Sequence, residues 1–242
     1  MQVRGSEHLN IKEPYVIVCN HQASLDLMGM VEVIPDHCVP IVKKELLYMG
    51  TVGWACWLSG MIFINRHKRE DAINVISQTA RTMQRENLRV LIFPEGTRNQ
   101  EKSMLPFKRG AFHLAVQAQV PIFPIVISPY RAFFSSKDKK FTSGTCTIQV
   151  LPKVETRGLS PKDVPELTET VRQAMADVLA EMSANQCAGA SADIPLLPSL
   201  GSTIYSPNST TLEFKTYRPV QDFSGGIPLP LPCLPSQFYG SR

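Results

Sequence analysis

The sequence has 242 residues, enough for one substantial domain or for one domain followed by a tail. Hydrophobic residues make up 43% and charged residues 19%, which excludes a chain that is disordered throughout. The net charge of +4 is too small to indicate nucleic-acid binding, and no zinc-finger spacing or RNP-like motif is present. A mild basic excess does suit an anionic substrate or an anionic membrane surface.

Other sequence features exclude further classes of protein. The six cysteines form no C-x-x-C pair, and several lie in apolar runs, as buried reduced thiols do. The first ten residues are polar, so no secretory signal peptide is visible. The histidines lack metal-ligand spacing, and neither a Walker loop nor G-x-G-x-x-G occurs. We therefore expect no metal and no nucleotide cofactor.

Short apolar runs alternate with helical patterns from the start of the chain to about residue 186. The predicted strands are residues 15–19, 38–42, 61–64, 89–93, 122–127 and 145–151. Amphipathic patterns predict helices over residues 71–85 and 163–182, the second starting with Ser160 as N-cap and Pro161 at the first helical position. The alternation predicts an α/β sandwich with a mixed, mostly parallel sheet flanked by helices.

Residues 46–64 carry no charge and are nominally long enough to cross a bilayer. Three glycines interrupt this stretch, and its end has the pattern of a strand. A crossing would also separate Arg66 from His21. We therefore expect a helix that lies at a membrane surface or roofs a tunnel for an apolar chain, followed by a core strand.

Three predicted strands run into polar clusters, at residues 20–26, 65–66 and 94–99. In open α/β sheets the ligand crevice lies beyond the carboxyl ends of the strands. If these strands are parallel, the clusters converge on one crevice. It would hold a His–Asp pair and several cations.

His21 and Asp26 are the candidates for acid–base chemistry. Positions five apart on a straight helix differ by about 140° and cannot touch, whereas on a strand-to-helix turn they can. Asp26 would then fix the tautomer of His21 and stabilise its imidazolium. Two alternatives stay open: Ser24 suggests a Ser–His–Asp hydrolase, although no G-x-S-x-G elbow occurs, and His21 could simply cap the next helix.

Basic residues and a glycine beside these clusters predict an anion site. Gly96 lets the backbone approach a ligand, and the Arg98 guanidinium can fork onto phosphate oxygens. Lys108 and Arg109 precede a predicted helix, whose N-terminus favours anions. Each basic residue taken singly is better explained as a solvated surface charge, so the prediction depends on their occurring together.

The composition changes near residue 187. Residues 187–242 contain eight prolines and no sustained helical or strand period, which predicts a disordered tail after a domain of residues 1–186. Residues 131–140 combine two aromatics with a net charge of +3. That segment could touch an anionic bilayer or form a solvated hairpin, and both interpretations stay open.

Four segments in this order resemble the motifs of the glycerolipid acyltransferases. They are residues 20–26 (NHQASLD), 60–66 (GMIFINR), 93–98 (FPEGTR) and 120–126 (VPIFPIV). Residues 105–121 narrow the resemblance to the 1-acyl-sn-glycerol-3-phosphate acyltransferases of the alpha/beta type. The resemblance covers residues 1–186 and implies the acyltransferase sandwich of that family.

The resemblance also implies roles for individual residues. His21 is the general base and Asp26 its orienter. The substrate-binding residues are Lys43, Arg66, Glu95, Gly96, Thr97, Arg98, Lys108 and Arg109. The pocket for the acyl chain or acyl-CoA contains Val120, Pro121, Ile122 and Pro124.

The implied reaction transfers an acyl group from acyl-CoA, a co-substrate, to the sn-2 hydroxyl of lysophosphatidic acid, giving phosphatidic acid and CoA. It needs no cofactor or metal and takes place at the endoplasmic reticulum membrane, on its cytosolic face. The family's hydrophobic N-terminal membrane segments have no counterpart in this sequence. Two alternatives therefore remain: another glycerophosphate or lysophospholipid acceptor, or a catalytically silent, membrane-peripheral lipid-binding protein.

Overall fold

The computed structural model describes residues 1–65, 68–101, 103–135 and 137–189. The strands are β1 (Gln2–Arg4), β2 (Val16–Cys19), β3 (Cys38–Lys43), β4 (Ile62–Ile64), β5 (Arg89–Ile92), β6 (Ile122–Ile127), β7 (Phe134–Ser135), β8 (Lys140–Phe141) and β9 (Thr147–Val150). The α-helices are α1 (Leu25–Met30), α2 (Thr51–Leu58), α3 (Arg69–Glu86), α4 (Gly110–Ala118) and α5 (Val164–Gly189). Two 3₁₀ helices span Ser6–Leu9 and Lys44–Tyr48.

Seven of these strands form one sheet in the order β1-β9-β6-β2-β5-β3-β4. All neighbouring pairs are parallel except β6 and β9. The remaining strands, β7 and β8, form an antiparallel pair of their own. The predicted mixed, mostly parallel sheet is therefore confirmed.

Both faces of the sheet are covered, which explains the continuous apolar runs of its central strands. Every residue of β2 and β6 is buried. Along β2 the side chains alternate between two cores: Val16 and Val18 pack with α3, α4 and α5, while Ile17 and Cys19 pack with α1 and the segment before β7. Burial of each such side chain contributes roughly 1.5–3 kcal/mol, so this alternation fixes the register of β2.

The ends of the long C-terminal helix differ from the prediction. Helix α5 starts at Val164 rather than at Pro161. The Asp163 carboxylate accepts hydrogen bonds from the backbone N–H and hydroxyl of Ser160, at 2.7 and 2.8 Å, which keeps these residues in a turn before the helix. The helix continues to Gly189. The predicted disordered tail lies almost entirely outside the described residues.

The uncharged stretch contains the end of the second 3₁₀ helix, then α2 and the core strand β4, so the expected helix followed by a strand is present. Helix α2 packs closely on the preceding 3₁₀ helix at Gly53, where a Cβ would lie only 2.2 Å from the Leu47 carbonyl oxygen. The outer side of these two helical segments exposes a set of large apolar side chains, which we call the apolar face: Tyr48, Met49, Val52, Trp54, Trp57 and Leu58. Within the described residues, no helix is both long and apolar enough to span a membrane.

Candidate active site

The carboxyl ends of four neighbouring parallel strands meet at one edge of the sheet. His21 lies two residues beyond β2, Glu95 follows β5, Lys43 ends β3 and Asn65 follows β4. The parallel direction of these strands, on which the predicted convergence depended, is therefore confirmed, and hydrogen bonds join the clusters after β2 and β5. Arg66, the cation of the second cluster, lies outside the described residues.

The His–Asp pair is formed, with His21 Nδ1 2.7 Å from Asp26 Oδ2. The chain turns tightly between β2 and α1, so residues five apart come into contact. The same carboxylate oxygen accepts the backbone N–H groups of Gln22, at 2.6 Å, and Ala23, at 3.0 Å. Asp26 is only 1% exposed, so these hydrogen bonds compensate for the burial of its charge.

The geometry of His21 leaves one ring nitrogen for a ligand. The contact with Asp26 favours the tautomer that carries its proton on Nδ1, so Nε2 is the nitrogen that can accept a proton. The His21 side chain is 18% exposed, and its ring stacks on that of Phe93 with centroids 4.2 Å apart. This arrangement suits a general base. Phe93 was predicted as a strand residue but not as a part of the site.

Glu95 connects the loop after β5 to the loop that carries His21. Its Oε1 accepts the backbone N–H of His21 at 3.1 Å. Its Oε2 accepts the Asn99 side-chain amide and the backbone N–H of Leu105, each at 3.0 Å. The backbone N–H of Asn99 donates in turn to the His21 carbonyl, at 2.7 Å. Both carboxylate oxygens of Glu95 are thus engaged inside the protein.

Two amide side chains next to His21 anchor its loop to β6. The Asn20 side chain donates to the Ile127 carbonyl at 3.0 Å and accepts the Ile127 N–H at 2.8 Å. The Gln22 amide donates to the carbonyls of Ile127 and Ser128, both at 3.0 Å. Sequence reasoning gave neither residue a role. Their signal was their position on either side of His21, directly after a buried strand.

Tyr130 is a further member of the site that sequence reasoning missed. Its hydroxyl donates to Asp26 Oδ1 over 2.5 Å. Burial, followed by the nearby negative charge of Asp26, raises the pKa of Tyr130 well above its usual range, so the hydroxyl stays protonated. The two residues are 104 positions apart, and no local pattern in the sequence connects them.

The predicted cations other than Arg66 end or follow strands, or precede a helix, at the same edge of the sheet. Arg109 is the N-cap of α4, and the backbone N–H of Lys108 donates to the Pro94 carbonyl at 2.8 Å, which places the start of α4 beside the loop after β5. Gly96 has a φ of 73°, a left-handed conformation that favours glycine. Five of the predicted substrate-binding side chains are exposed: Lys43, Thr97, Arg98, Lys108 and Arg109. They are open to an anion but do not touch the His–Asp pair.

The structure does not bring the predicted acyl-pocket residues to His21. All four are buried: Val120 and Pro121 precede β6, Ile122 begins it and Pro124 is its third residue. Strand β6 runs parallel to β2, with Ile122 paired to Val16. At about 3.3 Å per residue, Ile122 is thus roughly 16 Å from the level of His21 along the strands, and Pro124, which pairs with Val18, is roughly 10 Å away.

An apolar cavity of about 410 Å³ adjoins the site on another side. Asp26 and Tyr130 form part of its wall, together with Leu25, Met28, Phe133 and Ile148. The volume falls within the usual range for ligand pockets. Within the described part of the chain, no group of three or more His, Cys, Asp or Glu side chains is arranged to hold a metal ion.

Comparison with known proteins agrees with this geometry. The family model described as Acyltransferase matches residues 1–128. The 1-acyl-sn-glycerol-3-phosphate acyltransferase alpha of Ovis aries is 58% identical over 183 residues, which are 76% of this chain and 64% of that protein. The Homo sapiens alpha protein is 57% identical over 183 residues, 76% of this chain and 65% of its own length. The crystal structure of the LPA acyltransferase PlsC from Thermotoga maritima superposes with a TM-score of 0.61 at 25% identity, covering 75% of this chain and 71% of that one.

The fold, the His–Asp pair and these matches define the class: the chain belongs to the acyltransferase family. The Ovis aries and Homo sapiens relatives are both 1-acyl-sn-glycerol-3-phosphate acyltransferases of the alpha type. The chain spans about two thirds of the length of those relatives.

Proposed function

We propose that this chain transfers a fatty acyl group from acyl-CoA to the sn-2 hydroxyl of lysophosphatidic acid, giving phosphatidic acid and CoA. The observation that carries the proposal is the His21–Asp26 pair, at 2.7 Å, on a sheet edge surrounded by exposed cations. Kinship with 1-acyl-sn-glycerol-3-phosphate acyltransferases supports the choice of substrates.

The pair supplies the proton transfers of a direct acyl transfer. His21 Nε2 accepts the proton of the sn-2 hydroxyl as the hydroxyl oxygen attacks the thioester carbonyl carbon. The tetrahedral intermediate then collapses: the carbon–sulfur bond breaks, the ester bond remains, and the departing CoA sulfur takes the proton from His21. Asp26 stabilises the imidazolium between the two steps, and such general-base assistance contributes roughly 10²–10⁴-fold to a rate.

The phosphate of lysophosphatidic acid is proposed to bind among the exposed cations. Arg98 can donate two hydrogen bonds to one phosphate, whereas Lys43 and Lys108 add point charges. Gly96 and Thr97 lie between Glu95 and Arg98, where the loop backbone can approach the ligand. The N-terminus of α4, at Arg109, adds a favourable dipole.

The apolar face is proposed to rest on the membrane that supplies the lipid substrate. Tryptophan and tyrosine favour the bilayer interface, because their rings are apolar and their N–H or O–H groups are polar. Trp54 and Trp57 are 73% and 60% exposed, which is costly in water alone. Lys43 and Lys44 lie where this segment begins and suit anionic lipid headgroups. The resemblance implies the cytosolic face of the endoplasmic reticulum as the membrane concerned.

The proposed reaction is tested by release of free CoA from oleoyl-CoA, with lysophosphatidic acid in mixed micelles. We expect release that requires the lysolipid and is lost in His21→Ala. His8→Ala, at an exposed histidine outside the site, is the matched control and should keep full activity. Binding of both substrates without any turnover would refute the catalytic proposal and favour a silent lipid-binding protein.

A further inference from the structure

The Asp26 carboxylate is fixed from two directions. On Oδ2 it accepts the His21 ring N–H and two backbone N–H groups of the same loop. On Oδ1 it accepts the hydroxyl of Tyr130, which comes from the far end of β6. Oδ2 thus receives three of these four donors, and Oδ1 receives the Tyr130 hydroxyl. The donor on Oδ1 comes from a different part of the chain than the donors on Oδ2, so the two sets together restrict rotation of the carboxylate about its Cβ–Cγ bond.

The Tyr130 hydroxyl has little freedom to move. The side chain is 3% exposed, and its ring contacts those of Phe133 and Phe134, with centroids 5.8 and 6.1 Å away. The Tyr130 carbonyl accepts the backbone N–H groups of both phenylalanines, at 3.1 and 2.8 Å. Tyr130 is therefore held by the segment between β6 and β7, independently of α1, which carries Asp26.

The other titratable groups near the Tyr130–Asp26 hydrogen bond do not take over the role of the Tyr130 hydroxyl as donor to Asp26 Oδ1. Cys19 lies on β2 and Cys146 precedes β9, and burial raises the pKa of both thiols, so they stay neutral. The charge of Glu95 also raises the pKa of Cys19, whereas the amino group of Met1 lowers that of Cys146. His21 is bound on the opposite carboxylate oxygen.

We propose that Tyr130 is a positioning residue of the active site, whose hydroxyl orients the Asp26 carboxylate so that Oδ2 faces His21 Nδ1. The inference rests on the proposed role of the His–Asp pair in acyl transfer. Tyr130 acts through Asp26 and touches no reacting atom. The hydrogen bond from Tyr130 also stabilises the negative charge of Asp26, which weakens the attraction of the carboxylate for the His21 Nδ1 proton.

The test compares Tyr130→Phe with Tyr15→Phe in the full chain. Tyr15 is equally buried, and its hydroxyl donates to the Leu9 carbonyl at 2.9 Å, at the opposite end of β2. Both variants lose one buried hydroxyl, so similar losses of stability are expected. Only Tyr130→Phe should lower kcat, by roughly tenfold, with both KM values unchanged.

Two further measurements separate a positioning role from packing. In a double-mutant cycle, Tyr130→Phe should cost little more activity once Asp26→Ala is present, whereas a packing effect would add in full. The low-field NMR signal of the proton between His21 Nδ1 and Asp26 should move in Tyr130→Phe and stay in place in Tyr15→Phe. This signal does not depend on turnover.

The outcomes distinguish this inference from the proposed function. If His21→Ala abolishes activity while Tyr130→Phe behaves like Tyr15→Phe in kcat and NMR signal, the role of Tyr130 is overturned and the reaction stands. If His21→Ala keeps full activity, the proposed function fails. The NMR signal then still decides whether Tyr130 orients the Asp26 carboxylate.

Discussion

The carboxylate of Glu95 accepts the backbone N–H of His21 over 3.1 Å. The loop after β5 therefore holds the backbone of the loop after β2 in place. The resemblance assigned Glu95 to substrate binding. Its burial and its three internal hydrogen bonds suit a different task, that of joining the β5 loop to the β2 loop. The distinction between the two roles can be measured.

Glu95→Gln should lower kcat and stability together while leaving the KM for lysophosphatidic acid nearly unchanged. The glutamine amide puts a donor where the carboxylate accepted one, and a buried donor without an acceptor costs about 1–3 kcal/mol. Urea unfolding and steady-state kinetics measure the two effects. Glu101→Gln, at a strongly exposed glutamate in the same loop, is the control and should change neither. A raised KM with unchanged stability would instead assign Glu95 to the substrate.

Arg98→Ala should mainly raise the KM for lysophosphatidic acid, whereas Asp26→Ala should mainly lower kcat. Arg98 is exposed beside the proposed phosphate site, and a charge-assisted hydrogen bond contributes about 1.5–3 kcal/mol, or roughly 10- to 100-fold in KM. Arg81→Ala, at an exposed arginine on α3, controls for the general loss of a positive charge. If Arg98→Ala and Asp26→Ala had equal and small effects on kcat and on KM, neither phosphate binding by Arg98 nor catalysis through Asp26 would stand.

The sequence was most informative where periodicity and strand ends determine position. Continuous apolar runs predicted the central strands, and polar clusters behind them predicted where His21, Asp26 and Glu95 converge. Strand β1 was not predicted, because Gln2–Arg4 has no apolar pattern and is held by pairing with β9. Tyr130 could not be predicted either, since its contact with Asp26 depends on the path of the chain after β6. The direction of β6, which places Val120 away from His21, likewise depends on pairing rather than on composition.

Stability should fall as the pH rises from about 9 towards 12. Burial raises the pKa of Cys38 from 9.0 to about 12 and that of Tyr15 from 10.0 to about 12. In this window the unfolded chain loses protons that the folded chain keeps, so the unfolded state is favoured. Each such group contributes up to about 1.4 kcal/mol per pH unit. Urea unfolding at pH 8 to 11 measures the slope, which should be shallower in Cys38→Ala than in the unchanged chain. An equal slope in the two would show that the Cys38 thiol does not contribute.

The apolar face can be followed by intrinsic fluorescence, because Trp54 and Trp57 are the two tryptophans of the chain. Adding vesicles of phosphatidylcholine with phosphatidylserine should shift the emission to shorter wavelength as both rings leave water.

Replacing both tryptophans by serine should reduce co-flotation with the vesicles by at least tenfold. The fold should not suffer, since neither ring is buried. Ile73→Ser removes a half-exposed apolar side chain on α3, away from this face, and should leave flotation unchanged. If the emission shifts with protein concentration in the absence of lipid, and sedimentation shows a dimer, the face binds a second copy of the chain rather than a membrane.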